Sequence, residues 1–153
     1  MMVDCTKEHI EELVETLRED HKAEIVAGLG DSAMTPTNKE IIDMAWAMNG
    51  AKWCVLNMKK EPVVMFGVHE GSPGECHTWW LSSKKATTWD WARASVQGRR
   101  IFMKVLPEKY KSCTTICLES NPGYPDWFKA MGLTYKDNYQ DGDYTFHRYV
   151  KNY

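Results

Sequence analysis

The chain has 153 residues, of which 43% are hydrophobic and 26% charged, and its net charge is -2. This composition is ordinary for a globular protein. Its longest apolar run, residues 63–68, is far shorter than the roughly 20 residues of a membrane-spanning helix, which excludes that class of protein. At this length we expect one domain, residues 1–153.

The first fifty residues predict a short strand followed by three helices. Residues 2–5 suit a strand, and Thr6 suits the N-cap of the first helix. Apolar residues then follow a helical spacing: Ile10, Leu13, Val14 and Leu17. Residues 21–29 continue as a second helix. Residues 38–48 predict a third, which Asn49 and Gly50 end.

Three strands and a long helix are predicted next. Residues 53–58 and 62–68 form a hairpin, and residues 76–82 add a third strand. Thr87 or Thr88 caps a helix that runs to Leu106, where Pro107 ends or kinks it. The apolar residues that fall near one face of this helix are Trp89, Ala92, Val96, Met103 and Leu106.

The last forty residues predict a strand, a short helix and a hairpin. The strand covers residues 114–119, and the helix covers residues 125–131 with a proline in its first turn. Residues 133–139 and 144–150 pair around Asp141-Gly142, a dipeptide typical of tight hairpins.

Charge is unevenly distributed along the chain. Residues 1–50 hold eleven acids and four bases, whereas residues 84–111 hold eight bases and two acids. The basic segment is either a solvated helix face or a surface for an acidic partner or nucleic acid.

The five cysteines have no disulfide pattern and no zinc-ligand spacing, so we expect a reducing compartment and no metal. The polar start of the sequence, MMVDCTKEH, does not look like a signal peptide.

Residues 114–135, TTICLESNPGYPDWFKAMGLTY, resemble the closing motif of the GNAT (GCN5-related N-acetyltransferase) fold. The resemblance implies a mixed, mainly antiparallel, twisted α/β sheet with helices on both faces. The sheet would splay into a V between residues 79–82 and 115–119. In the GNAT motif Asn121 matches the asparagine and Phe128 the tyrosine that protonates the leaving CoA thiolate. Phe128 has no proton to give, and nothing in the sequence brings Tyr124 or Tyr135 to that place.

GNAT enzymes hold the CoA pyrophosphate on a glycine-rich loop that leads into a helix. No glycine is present in the matching loop, although Ser, Thr and Lys side chains there would favour an anion. The candidate cofactor-binding residues are Leu81, Ser82, Ser83, Lys84, Lys85, Thr87, Thr88, Asn121 and Phe128. By residue type, the candidates for a catalytic base are Glu75, His77 and Glu119, and each is also an ordinary strand or turn residue.

A second resemblance is to the small internal virion protein family of short-tailed phages (podoviruses), whose fold is a degenerate GNAT fold. The matching residues are Cys76, Trp79, Ser82, Arg100, Phe102, Tyr110, Phe128, Gly132, Asp141, Gly142 and Phe146. This resemblance implies a non-catalytic virion or virion-assembly protein without cofactor, located in the virion or the host cytoplasm, with other phage proteins as partners. The alternatives are an active N-acetyltransferase that uses acetyl-CoA and a module that binds phosphate or nucleic acid.

Overall fold

The computed structural model describes residues 1–29, 35–120 and 123–153. Within these residues strands and helices follow each other in an order that begins and ends with strands. The strands are β1 (Met2–Asp4), β2 (Lys52–Leu56), β3 (Pro62–Glu70), β4 (Glu75–Ser82), β5 (Ser112–Leu118), β6 (Thr134–Asp141) and β7 (Tyr144–Asn152). The helices are α1 (Lys7–Glu15), α2 (Glu19–Leu29), α3 (Asn38–Ala47), α4 (Thr88–Arg100) and α5 (Tyr124–Ala130).

The strands form one sheet in the order β1-β2-β3-β4-β5-β7-β6. Every pair of neighbours in it is antiparallel except β4 and β5, which are parallel. The predicted mixed, mainly antiparallel sheet is therefore confirmed.

Helices cover both faces of the sheet because the strands alternate apolar side chains between them. On one face α1 and α3 pack with Met65 and Leu81. On the other face α4 and α5 pack with Phe66 and Trp80. The adjacent Trp79 and Trp80 point to opposite faces, as their alternation predicts.

The long helix differs from its prediction. Thr87 is its N-cap, but α4 ends at Arg100 and continues as a π-helical turn, Ile101–Val105, and a 3-10 turn, Leu106–Glu108. The face that carries the apolar residues is exposed except at Leu106, because α4 buries Asp90, Ala94 and Gly98 instead. The small side chains at two of these positions let the helix approach the sheet closely, with Gly98 beside the ring of Phe66.

The closing strand-helix-hairpin unit is confirmed, with bounds that differ by one or two residues. Helix α5 ends at a glycine in the left-handed region, Gly132, with φ 88°. There the amide of Leu133 donates to the carbonyl of Phe128 over 3.0 Å, a typical C-terminal cap. The hairpin turns at Gly142, which also has a positive φ.

None of the helices in the described ranges is both long enough and apolar enough to cross a membrane.

Candidate functional site

The parallel strands β4 and β5 separate after a short paired segment. Only Glu75 to His77 pair with Ser112 to Thr114. Beyond this segment a hydroxyl still links the strands, since Oγ1 of Thr115 donates to the carbonyl of Thr78 over 3.4 Å. The predicted V is therefore present, and it opens toward the C-terminal ends of both strands.

Aromatic side chains fill the V on the α4 and α5 side. The ring centroid of Trp80 lies 4.8 Å from that of Phe128 and 5.2 Å from that of Tyr124. Phe128 is only 1% exposed, and Tyr124 is also buried. The position that the resemblance assigns to a proton-donating tyrosine thus holds a core side chain without a polar atom.

A buried polar network crosses the V beside these rings. Nε2 of His21 lies 2.7 Å from Oγ of Ser82 and 3.1 Å from the hydroxyl of Tyr124. The same hydroxyl donates to Asp20, whose carboxylate also accepts two bonds from Arg18. Burial lowers the pKa of His21 to about 4 against an opposing effect of Asp20, so the imidazole is neutral at pH 7. Burial raises the pKa of Tyr124 above its usual value.

The loop from Ser83 to Thr87 uses its backbone N–H groups within the chain. Ser83 donates to the carbonyl of Val63 over 2.9 Å, and Lys84 to that of Thr16 over 2.7 Å. The amides of Lys85 and Ala86 donate to the hydroxyl and the carbonyl of Ser83, over 3.1 Å each. A loop that binds pyrophosphate needs these groups directed at the ligand.

Side chains of this loop are engaged as well. The hydroxyls of Ser83 and Thr16 lie 2.5 Å apart. Lys84 pairs with Glu19 over 3.0 Å, and Lys85 pairs with Glu61 over 2.9 Å. Both lysines of the loop, whose charge would attract a phosphate, are therefore bonded to carboxylates of the same chain.

A carboxylate of the chain occupies the anion position at the start of α4. Asp90 accepts hydrogen bonds from both the amide and the hydroxyl of Thr87 over 2.9 Å, and Arg93 donates to it over 2.7 Å. Burial alone would raise the pKa of Asp90, but these three hydrogen bonds lower it below its usual value. Asp90 is therefore charged at pH 7 and satisfies the helix dipole.

Trp127 closes the space between α4 and α5. Its ring stacks on Phe66 at a centroid distance of 5.6 Å, and its Nε1 donates to Oγ of Ser95 over 2.8 Å. A groove of about 380 Å³ remains outside this ring, lined in part by Arg18, Trp91 and Tyr124.

A second cavity lies on the opposite face of the sheet. Its volume is about 240 Å³, and its walls are α2, α3 and the separated ends of β4 and β5. Most of the lining is apolar, and His21, Glu24 and Cys117 are its titratable members. Glu24 accepts the amide of Leu118 over 3.0 Å, so this carboxylate is bound to the open edge of β5.

The candidate catalytic bases do not gather in one place, because only Glu119 lies at the open end of the V. Glu75 and His77 are exposed at the closed end of β4, about 20 Å along the strand from Ser82. Glu119 follows β5, and one of its oxygens lies 3.5 Å from Nε2 of His147. The loop candidates from Leu81 to Thr88 do lie together at the open end, whereas Asn121 falls outside the described residues. Within the described ranges no group of three or more His, Cys, Asp or Glu has the arrangement of a metal site.

Sequence reasoning missed two residues that shape the V. His21 lies in an acidic helix with no motif around it, so no signal pointed to it. Trp127 is next to Phe128 in the closing motif, and a bulky side chain beside the expected thiolate position was a signal that could have been used.

Comparison with known proteins resolves the fold. Neither the sequence profile of a protein family nor the sequence of a curated protein matches the chain. Solved structures do match over almost its whole length. A GNAT-family acetyltransferase from Bacillus anthracis aligns with TM-score 0.70 at 11% identity, over 99% of this chain and 93% of that one. The GNAT domain of PAT from S. lividans aligns with TM-score 0.73 at 12% identity, over 99% and 89%.

The chain has the GNAT fold. A third match is aminoglycoside acetyltransferase AAC(6')-Ib in complex with coenzyme A and kanamycin, with TM-score 0.71 at 12% identity, over 99% of this chain and 94% of that one. Identities this low establish the GNAT fold and not the activity.

Proposed function

We propose that this chain uses the GNAT fold for protein contacts rather than for acyl transfer. In the narrower form of the proposal it is an internal virion or virion-assembly protein of a short-tailed phage. The motif resemblance from Cys76 to Phe146 supports this narrower form. The broader form is supported by the way that side chains and hydrogen bonds of the chain itself fill the V between β4 and β5. Other virion or assembly proteins are then its partners.

The observation that carries the proposal is the bonding of the loop after β4. From Ser83 to Thr87 the backbone amides donate to acceptors of the chain itself. Asp90 supplies the negative charge that a pyrophosphate would supply at the start of α4. Binding CoA in the usual GNAT manner would require breaking these bonds and would bring phosphates close to a buried carboxylate.

The interior of the V argues in the same direction. Phe128 offers no hydroxyl for a thiolate, and Trp127 lies between α4 and α5, bonded to Ser95. The residues therefore do not fit acetyl-CoA in the groove that the GNAT fold would use. A protein that retains the fold but fills its groove keeps a stable scaffold for surface contacts.

Isothermal titration calorimetry with acetyl-CoA tests the broader proposal. We expect no saturable binding below about 1 mM, the upper end of ordinary enzyme affinities for substrates. A matched control titration with Trp127→Ala tests whether clearing the groove is sufficient for binding. Saturable micromolar binding by the unaltered protein, together with CoA release in the presence of amines or peptides, would contradict the proposal.

An active N-acetyltransferase, acting on an amine or a protein, is the second candidate. One observation favours it: Tyr124, which carries a hydroxyl, is among the residues that line the groove between α4 and α5, and its ring centroid lies 6.2 Å from that of Phe128. In this alternative the loop residues from Leu81 to Thr88 would rearrange around acetyl-CoA. Tyr124→Phe should then abolish turnover while leaving acetyl-CoA binding intact.

Mass spectrometry of purified phage particles tests the narrower proposal. The virion role predicts peptides of this chain in mature particles after nuclease treatment and repeated banding. The absence of such peptides would contradict the proposal that this chain is a component of the virion. The broader proposal would then be tested by the calorimetric titration alone.

A further inference from the structure

The outward side of α4 and its π-helical extension carries an apolar and basic stripe. At about 100° per residue its members fall within one arc of the helix. We call this stripe the α4 outer face: Trp89, Ala92, Arg93, Val96, Arg99, Arg100, Met103 and Lys104. Trp89 is 79% exposed, Val96 69% and Met103 46%. Apolar side chains aligned in this way on a solvent-facing helix indicate a contact surface.

Three cations of the α4 outer face have no ion-pair partner in the part of the chain that the structure describes. Among the described residues, no carboxylate lies within 4.0 Å of Arg99, Arg100 or Lys104. Four of the other five bases of the basic segment are paired, as Lys84 is with Glu19 and Lys109 with Glu70, whereas Lys111 has no carboxylate within 4.0 Å among the described residues. The unpaired positive charge of the segment is thus concentrated beside the exposed tryptophan and valine.

An acidic stripe of matching length lies on α1. Glu8, Glu11, Glu12 and Glu15 recur at helical spacing on the side opposite its buried residues, and we call them the α1 outer face. All four side chains are exposed, and in the described part of the chain none has a cation within 4.0 Å.

The two faces cannot meet within one molecule. Helix α1 packs on the sheet face that carries Met65 and Leu81, whereas α4 packs on the face that carries Phe66 and Trp80. The seven-stranded sheet separates them, so each stripe points away from the other. Only another copy can bring these two surfaces into contact.

We propose that the α1 outer face of one copy docks on the α4 outer face of the next. Four carboxylates then oppose three unpaired cations and the partly exposed Arg93. Trp89 and Val96 contribute the apolar contact, since tryptophan and arginine are the residues that most often dominate binding energy in interfaces. The complementarity sets register and orientation more than affinity.

This contact joins two different surfaces on opposite faces of the sheet. A contact of this kind is head-to-tail, and it produces rings or open chains rather than a closed symmetric dimer. Because its charges are exposed, we expect the association to be weak and to fall with ionic strength. The inference does not depend on whether acetyl-CoA binds, so its failure and that of the proposed function are distinguishable.

Sedimentation velocity over a concentration series tests the contact at low salt and at high salt. Two variants reverse one surface each: Arg99→Glu with Arg100→Glu and Lys104→Glu, and Glu11→Lys with Glu12→Lys and Glu15→Lys. We expect each to weaken self-association about tenfold or more. An equimolar mixture should restore it, because each reversed face then meets a complementary one.

Two further variants control for net charge and for apolar contact. Lys59→Glu with Lys60→Glu and Lys136→Glu changes the charge equally at exposed positions that do not belong to the α4 outer face and should associate as the unaltered protein does. Trp89→Ser should weaken association without altering charge. Circular dichroism melts establish that every variant is folded.

Several results would overturn the inference. One is an unaltered protein that stays monomeric at low salt throughout the series. Another is a mixture of reversed variants that associates no better than either variant alone. A third is salt-dependent binding of a labelled DNA duplex that needs Arg99 and Arg100 in a protein that does not self-associate, which would assign the face to nucleic acid.

Discussion

Nε2 of His21 lies 2.7 Å from Oγ of Ser82 at the point where β4 has separated from β5. The contact joins α2 to the last residue of β4, and Tyr124 adds a bond from α5 on the other side. The partners lie 61 and 103 residues from His21 in sequence. One imidazole therefore holds three elements together across the V, and it must be neutral to remain buried there.

The free energy of unfolding should decrease as the pH is lowered, because His21 is buried in its neutral form. Its pKa is about 4 in the folded protein and 6.5 in the reference state, so the unfolded chain binds the extra proton between these values. The contribution is fully present above about pH 6.5 and is lost as the pH falls toward 4. We expect it to reach roughly 3 kcal/mol, at 1.36 kcal/mol per pKa unit.

Urea unfolding at several pH values, for the unaltered protein and for His21→Gln, measures this contribution. The glutamine variant keeps a hydrogen-bonding side chain but cannot titrate, so carboxylate effects cancel in the comparison. Parallel pH dependences of the two free energies of unfolding would mean that His21 is not responsible.

Truncation of Phe128 should be costly. Its ring is buried and lies 4.8 Å from that of Trp80 and 5.2 Å from that of Tyr149. Phe128→Ala should lower the free energy of unfolding by about 3–5 kcal/mol, because it leaves a cavity among packed rings. Chemical denaturation measures the change, with Ile116→Ala, at a partly exposed position, as the control. A cost below about 0.5 kcal/mol for Phe128→Ala would place this side chain at the surface.

Removal of the Asp90 carboxylate should expose an anion site. Asp90→Ala deletes the hydrogen bonds to Thr87 and Arg93, and we expect a loss of about 0.5–2 kcal/mol, as for other N-terminal caps. Inorganic phosphate should restore part of this loss, since the freed amide and hydroxyl of Thr87 and the guanidinium of Arg93 can then bind an anion at the N-terminus of α4. Thermal melts with and without phosphate measure the effect.

Asp126→Ala is the control, because this residue lies in the first turn of α5 without a cap hydrogen bond. Equal stabilisation of both variants and of the unaltered protein by phosphate would indicate a general salt effect and contradict the assignment of Asp90.

A side chain at position 67 should displace a tryptophan. A Cβ added to Gly67 would lie 2.2 Å from Cε2 of Trp79, so the indole must move away from β3. Gly67→Ala should therefore cost about 1–3 kcal/mol, as overpacked positions do, and should shift the tryptophan emission. Gly123→Ala is the control, because no atom lies within 4 Å of its added Cβ. An unchanged emission spectrum for Gly67→Ala would mean that this contact is absent in solution.

Local patterns were sufficient to predict most elements of the fold. Thr6 and Thr87 cap helices as expected, because an N-cap depends on only a few neighbouring residues. The turn at Asp141-Gly142 formed for the same reason. The inward position of Phe128 followed from the closing motif, and its burial confirms it.

The orientation of α4 could not be predicted in this way. Apolar residues that share one face of a helix commonly pack inward, yet Trp89 and Val96 are exposed, while Ala94 and Gly98 face the sheet. The helix turns its narrow side toward Phe66 because large side chains from the sheet and from α5 already fill that space. The space that the sheet and α5 leave free decided which face of α4 packs inward. The pattern of hydrophobic residues along one helix does not contain that information.

The sequence by itself determined the order of strands and helices, the caps and the absence of a tyrosine where Phe128 stands. Those features depend on residue type and short-range spacing. Only the tertiary structure decided that Lys84 donates to Thr16, that His21 bonds Ser82 across the V, and that the α1 and α4 outer faces point in opposite directions. Such contacts join residues far apart in the chain, and they are selected by the packing of the whole sheet and its helices rather than by any local pattern.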